Sequence, residues 1–270
     1  LPKVTEFWTR LGADERLYAK YKAMDPATLN DEQKRAHHNA LRGFILGGAE
    51  LQGADRDRFA AIQERSAELA QKFSENALDA TDAFSLIVAT DDLDGVPDDV
   101  KQATAAAASA DGHDGHKLTL KMPVYLPVMQ FAHSSPLRER LYRAYVTRAS
   151  DQAAGDALKF DNAALMGELL ALRHEESKLL GYRHFADLSL VPKMAESPEQ
   201  VTGFLRDLAR KARPFADQDL ADMRAFAGSE LGLPVGQARG NRQAPLSLAR
   251  WFLQQQHGQL RDVNPRQDPA

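Results

Sequence analysis

The sequence predicts a mainly α-helical protein, a multi-helical body with a small two-stranded β element near residues 84–122. Three observations carry this. Apolar residues recur at spacings of three, four and seven over most of the chain. Capping residues, prolines and glycines bracket those stretches where helices start and stop. Only between Phe84 and Met122 does the period drop to that of a strand.

In chain order, Asp14 to Met24 places Leu17, Tyr18 and Tyr21 on one face and stops at Asp25-Pro26, because proline disfavours helix at the residue before it. A second helix is expected from Asn30 to Leu46. Asn30 is its N-cap, Gln33 the capping-box partner, Leu41, Phe44 and Ile45 the apolar face, and Gly47-Gly48 the stop. From Asp55 to Ala80 the residues Phe59, Ile62, Leu69, Phe73 and Ala77 form the cleanest helical row.

FSLIVA, Phe84 to Ala89, is rich in β-branched and aromatic residues and reads as a strand. A turn follows, with Pro97 suited to the first helical position and an alanine-rich helix over 98–110. Lys117 to Met122 alternates polar and apolar as a half-buried strand, and Pro123 and Pro127 limit ladder pairing beyond it.

Helices resume at Ser135-Pro136, with Leu137, Leu141, Ala144 and Tyr145 on the apolar face. After the loop DQAAGD, Asp161 is expected to cap a helix over Leu165, Leu169, Leu172 and Leu179 that ends at Gly181. A short segment around His184 to Leu190 follows. Ser197-Pro198-Glu199-Gln200 then opens a helix carrying Val201, Phe204, Leu205 and Leu208, which Pro214 should kink or break. Four regions result: an N-terminal helical region (1–80), a small β/helix insertion (81–130), a second helical region (131–232) and a divergent, poorly ordered tail (233–270) in which only Leu246 to Leu253 could form a short amphipathic turn.

The composition narrows function mainly by exclusion. The 270 residues carry a net charge of −4 with both signs interspersed, which gives no electrostatic case for nucleic acid or an anionic membrane. There is no cysteine, which rules out thiolate chemistry and fits a reducing cytosol. Leu1 is not Met and no signal region follows, so the chain is expected to begin partway through a longer protein.

One stretch comes close to a catalytic motif: HEESK, His174 to Lys178. A zinc-binding H-E-x-x-H helix sets two imidazoles four apart on one face and uses the Glu to activate water. Here the fifth position is the cation Lys178, so the stretch reads as a solvated helix face with a Glu175–Lys178 pair, and His184 lies too far along to replace the missing ligand. His37 and His38 are adjacent and so point in different directions. His113 and His116 flank a turn with Asp111 and Asp114 near, a weak metal pattern. Asp91-Asp92 and Asp98-Asp99 suit turns and helix starts. Tyr142, Arg143, Tyr145 and Arg148 cluster at helical spacing, with core packing favoured over a ligand pocket. No phosphate loop, dinucleotide loop or nucleophile elbow is present.

At KLTLKMPVYLPVMQFA, LRERLYRAYVTRASD and ALRHEESKLLGYRHFADLSLVPKMAESPEQVTGFLRDLARKARP, the chain resembles the oligopeptidase A group of the thimet-oligopeptidase-like zinc metallopeptidases. LPKVTEFWTRLGADERLYAKYKAM and ELAQKFSENALDATDAF fit the same group in the same order, and the likeness covers about residues 1–232. The resemblance implies a helical shell around a deep channel, cytoplasmic location and zinc-dependent cleavage of short peptides. It places the family's zinc ligands, an H-E-x-x-H helix and a later Glu, C-terminal to everything matched here. It therefore assigns no catalytic, substrate-binding or metal-ligating residue to this chain, and no zinc is expected to be bound by it. The other reading is a non-catalytic helical module that binds peptides or a protein partner. The tail from Leu233 does not resemble the family's continuation, and a truncated or frame-shifted gene product would explain it.

Overall fold

In the computed structural model, residues 2–231 are described. They fold into helices α1 (Pro2–Gly12), α2 (Glu15–Lys22), α3 (Asp31–Leu46), α4 (Gly53–Ala83), α5 (Asp98–Ala110), α6 (Met122–Phe131), α7 (Ser135–Val146), α8 (Ala163–Leu179), α9 (Phe185–Leu190) and α10 (Pro198–Leu231). Strands β1 (Leu86–Val88) and β2 (His116–Leu118) form an antiparallel pair, with Leu86 opposite Leu118 and Val88 opposite His116. The mainly helical class and the small β element are therefore present. The expected tail and its Leu246–Leu253 turn lie outside the described residues. Two compact units divide the chain. One holds the residues up to Glu75 with Asn162–Ala209, the other Asn76–Asp161 and the described residues from Arg210.

In the first unit, local chemistry sets the helix starts. The Asp14 carboxylate accepts from the backbone of Arg16 and Leu17. Asn30 and Gln33 form the expected reciprocal capping box, at 2.8 and 3.0 Å. Tyr18 is buried against Phe44 and its hydroxyl donates to Glu50 Oε1 at 2.5 Å. A Cβ at Gly47 would come within 2.9 Å of the Gly12 carbonyl, so glycine there lets the end of α3 approach the end of α1. Ile62 and Leu69 of α4 and Leu172 of α8 are buried together, with Leu165, Leu169 and Leu179 packed against them. On α3 and α4, Ile45 (36% exposed) and Phe73 (38%), expected on the apolar faces, sit at the rim instead.

In the second unit the core gathers Leu86, Leu93, Val96, Leu118, Leu120, Tyr125, Val128, Ala132, Leu137 and Leu141. The small side chains of α5 let it lie against β2, with Thr104 and Ala108 buried. Buried Arg138 donates to the Ala132 carbonyl and to Ser135 Oγ, 2.8 Å away.

Several boundaries differ from expectation. Both strands are three residues long, shorter than Phe84–Ala89 and Lys117–Met122. The chain turns into α6 at Met122, where the prolines argued only against pairing. Pro123 lies in the first turn, where no N–H bond is lost, and Pro127 forfeits only one. Tyr125 and Val128, three apart, drive the helix by entering the core. Pro97 is the N-cap residue of α5, one place before the expected position. Asn162, not Asp161, holds the N-cap position of α8, and its buried side-chain amide donates to the Phe73 carbonyl at 3.0 Å. Pro214 lies inside α10 without ending it. Ser197 Oγ accepts from the Gln200 amide as predicted, while the Gln200 side chain accepts from Glu196 rather than from the cap residue. Among the described residues no helix is long and apolar enough to cross a membrane.

Candidate functional site

The HEESK stretch forms the last turn and a half of α8, beside α4. Its chemistry is decided by residues more than a hundred positions away. Glu175 receives two hydrogen bonds from Arg58, from Nε and Nη2, both 2.6 Å. One heptad earlier, Glu168 receives two from Arg65, at 2.6 and 3.0 Å. Between them Gln63 donates to Glu176 at 2.8 Å. These pairs run in opposite sequence directions, so α4 and α8 pack antiparallel with a polar ladder along the rim of their apolar seam.

The expected Glu175–Lys178 pair is thus replaced. Lys178 Nζ donates to the Arg183 carbonyl at 2.6 Å, closing the end of the helix, and Glu175 takes the guanidinium because a fork-on-fork bond is stronger and more directional than a lysine contact. The Arg58 hydrogen bonds hold the Glu175 carboxyl below its ordinary range, and those of Arg65 do the same for Glu168. Glu176 goes the other way, because burial raises its carboxyl. His174 is exposed, and its carbonyl accepts from buried Ser177 at 2.7 Å.

Among the other described histidines, His184 caps α9, its Nδ1 accepting from the Asp187 amide at 3.3 Å. His37 is buried, stacks on Tyr21 and lies 2.7 Å from the Tyr21 carbonyl, while His38 is exposed. His116 is buried. Its Nδ1 lies 3.1 Å from the Lys101 carbonyl, which can only accept, so Nδ1 carries the proton. Its Nε2 lies 3.2 Å from Thr90 Oγ1. His113 is exposed, so the two do not combine. Asp111 pairs with Lys117, and Asp92 accepts from the Ala89 amide. Sequence spacing gave no sign of another contact: His133 Nδ1 and Asp94 Oδ2 meet at 2.7 Å across 39 positions, and this bond lowers the Asp94 carboxyl.

These residues do not fit a zinc ion of the H-E-x-x-H type. Of the carboxylates beside His174, Glu175 is held by the Arg58 guanidinium and Glu176 by the Gln63 amide, and among the described residues no group of three or more His, Cys, Asp or Glu could hold a metal. The Tyr142–Arg148 cluster shows the expected core packing only at Tyr145, which packs against the core of the second unit. Tyr145 stacks on Tyr125 at 4.2 Å, Tyr142 is exposed, and Arg143 and Arg148 line a cavity of about 630 Å³.

Comparison with known proteins shows a partial similarity to one peptidase family. Residues 128–241 match the family model for Peptidase family M3. Over those residues the chain is similar to the peptidases of that family. Over the part it spans, its likeness is to oligopeptidase A. It is 44% identical over 238 residues to oligopeptidase A of Salmonella typhimurium, covering 86% of this chain and 35% of that protein. It is 45% identical over 238 residues to that of Escherichia coli, with the same shares. To the probable cytosolic oligopeptidase A of Arabidopsis thaliana it is 36% identical over 241 residues, covering 85% of this chain and 33% of that protein. The chain spans about a third of the length of these curated relatives.

Proposed function

We propose that this chain is part of the helical shell of a zinc-dependent, cytoplasmic peptidase that hydrolyses short peptides, with residues 1–80 and 131–232 as shell and 81–130 as a small insertion. The observation that carries this is the identity of 44–45% to two oligopeptidases A, sustained over 238 residues. No zinc-ligating, catalytic or substrate-binding residue is assigned within the chain. The 270 residues contain no H-E-x-x-H, and the arginine-bound carboxylates of α8 support a structural role for HEESK. Metal analysis of the purified chain and a quenched fluorescent peptide assay test this. The expected results are no stoichiometric zinc and no chelator-sensitive cleavage. About one zinc per chain with chelator-sensitive cleavage would overturn it, since such a site needs three protein ligands around one metal.

A second reading, a non-catalytic module that binds peptides or a protein partner, is favoured by α10. There Phe204, Leu205 and Leu208 are 66%, 53% and 52% exposed, an apolar row of the kind that marks interaction surfaces. Fluorescence anisotropy with a labelled peptide separates the two: binding without hydrolysis supports the module, and no binding the shell fragment alone.

A further inference from the structure

The cavity of about 630 Å³ in the unit that holds Asn76–Asp161 is built of unlike parts. Phe84, Leu120 and Phe160 give it apolar surface. Four cations, Arg140, Arg143, Arg148 and Lys159, line it against one carboxylate, Asp156. Arg143 is already neutralised by Glu139, at 2.8 Å. Among the described residues, Arg140, Arg148 and Lys159 enter no ion pair.

Arg148 is the best ordered of the three. Its guanidinium lies 3.7 Å from the centre of the Tyr145 ring. Its Nε donates to the Tyr145 carbonyl at 2.9 Å and its Nη1 to Thr81 Oγ1 at 2.8 Å. Tyr145 is fixed in turn by its stack on Tyr125. All these partners are neutral, so they hold the group in place and leave its charge uncompensated. A pre-positioned guanidinium in a half-buried site is well placed to take a carboxylate, because little side-chain entropy is then lost on binding. The volume is that of a small-molecule site, and its mixture of apolar surface with a few charged groups is the usual make-up of one.

The geometry points to a binding site for a small carboxylate that carries a compact apolar group, the carboxylate meeting Arg148, Arg140 and Lys159 and the apolar group meeting Phe84, Leu120 and Phe160. Two sources share this chemistry: a free carboxylic acid, and the C-terminal residue of a short peptide. The inference stands apart from the peptidase reading, since neither metal nor bond cleavage enters it.

Calorimetry on the full chain with hydrocinnamate and with its amide provides the test. The acid should bind about tenfold or more tightly than the amide, the loss of one charge-assisted hydrogen bond, and added salt should narrow the gap. Arg140→Gln with Lys159→Gln changes only exposed side chains and leaves Arg148 in place, so it should reduce the preference for the acid severalfold. Ala154→Trp, which fills the cavity without touching a charge, should weaken both compounds. N-acetyl-Ala-Phe against its C-terminal amide distinguishes the sources: the peptide acid binding more tightly than hydrocinnamate indicates a peptide terminus, and more weakly a free acid. Equal binding of acid and amide, no binding of the acid at millimolar concentration, or unchanged preference in the double variant would overturn the assignment.

Discussion

Truncating Ile62 to alanine separates the two things that could hold α4 against α8. Ile62 is fully buried, packed with Leu69 and Leu172, while the Arg58–Glu175 and Arg65–Glu168 ladder lies in solvent at the rim. The substitution removes three carbons, worth about 2.4 kcal/mol at ~0.8 kcal/mol per buried methylene. The void left in a seam of leucines brings the total to about 3–4 kcal/mol. Hydrogen exchange of the α8 amides reads this directly. A loss of about 3 kcal/mol in the opening free energy corresponds to exchange faster by about a hundredfold. Arg58→Met with Arg65→Met should accelerate the same amides much less, because exposed ion pairs gain little over hydrated charges and weaken in salt. Acceleration below about tenfold for Ile62→Ala, or a larger effect from the arginine pair, would refute the claim that the apolar seam carries the contact.

Two further perturbations test other parts of the fold. Glu176→Gln keeps an acceptor for Gln63 and removes a carboxyl that burial raises above its ordinary 4.5. A raised carboxyl stabilises fully below its unfolded value and loses that contribution as pH rises through the folded one. The variant should therefore melt higher than the parent at about pH 8 and show no gain at about pH 4; a parent that melts higher at the alkaline end would contradict this. Glu168 and Glu175, lowered by their arginines, carry the opposite sign, with stability lost as pH falls below the ordinary carboxylate range. Gly95→Ala places a Cβ at φ +83, against the Phe131 carbonyl oxygen and 2.7 Å from the His133 ring. The left-handed backbone alone costs about 1–2 kcal/mol and the collision adds to it, so unchanged denaturant stability would mean that the turn has relaxed.

What could be read from the sequence was what is local. The Asn30–Gln33 box, the Ser197 cap and the alanine-rich α5 each depend on contacts within a few residues, and each formed where expected. Helix α6 was not readable, because two prolines outweigh propensity until the burial of Tyr125 and Val128 is known. Lys178 alone argues against a zinc site at HEESK, but the partner of Glu175 could not be found, because Arg58 lies 117 positions away. The cluster ending at Arg148 was visible as a pattern. Its place at a cavity was not, since Thr81 lies 67 positions upstream and the cavity is lined by the loop that returns through Phe160.

The ladder on α4 and α8 also limits how this part of the chain can change length. Arg58 and Arg65 are seven apart, as are Glu168 and Glu175, so both bonds form in only one alignment of the helices. Sliding one helix by a turn would mismatch both pairs at once. A single-residue insertion between the two arginines would turn the second through about 100° and aim it away from its acid. The rungs act as a gauge for register: they add little strength, but they mark the native alignment.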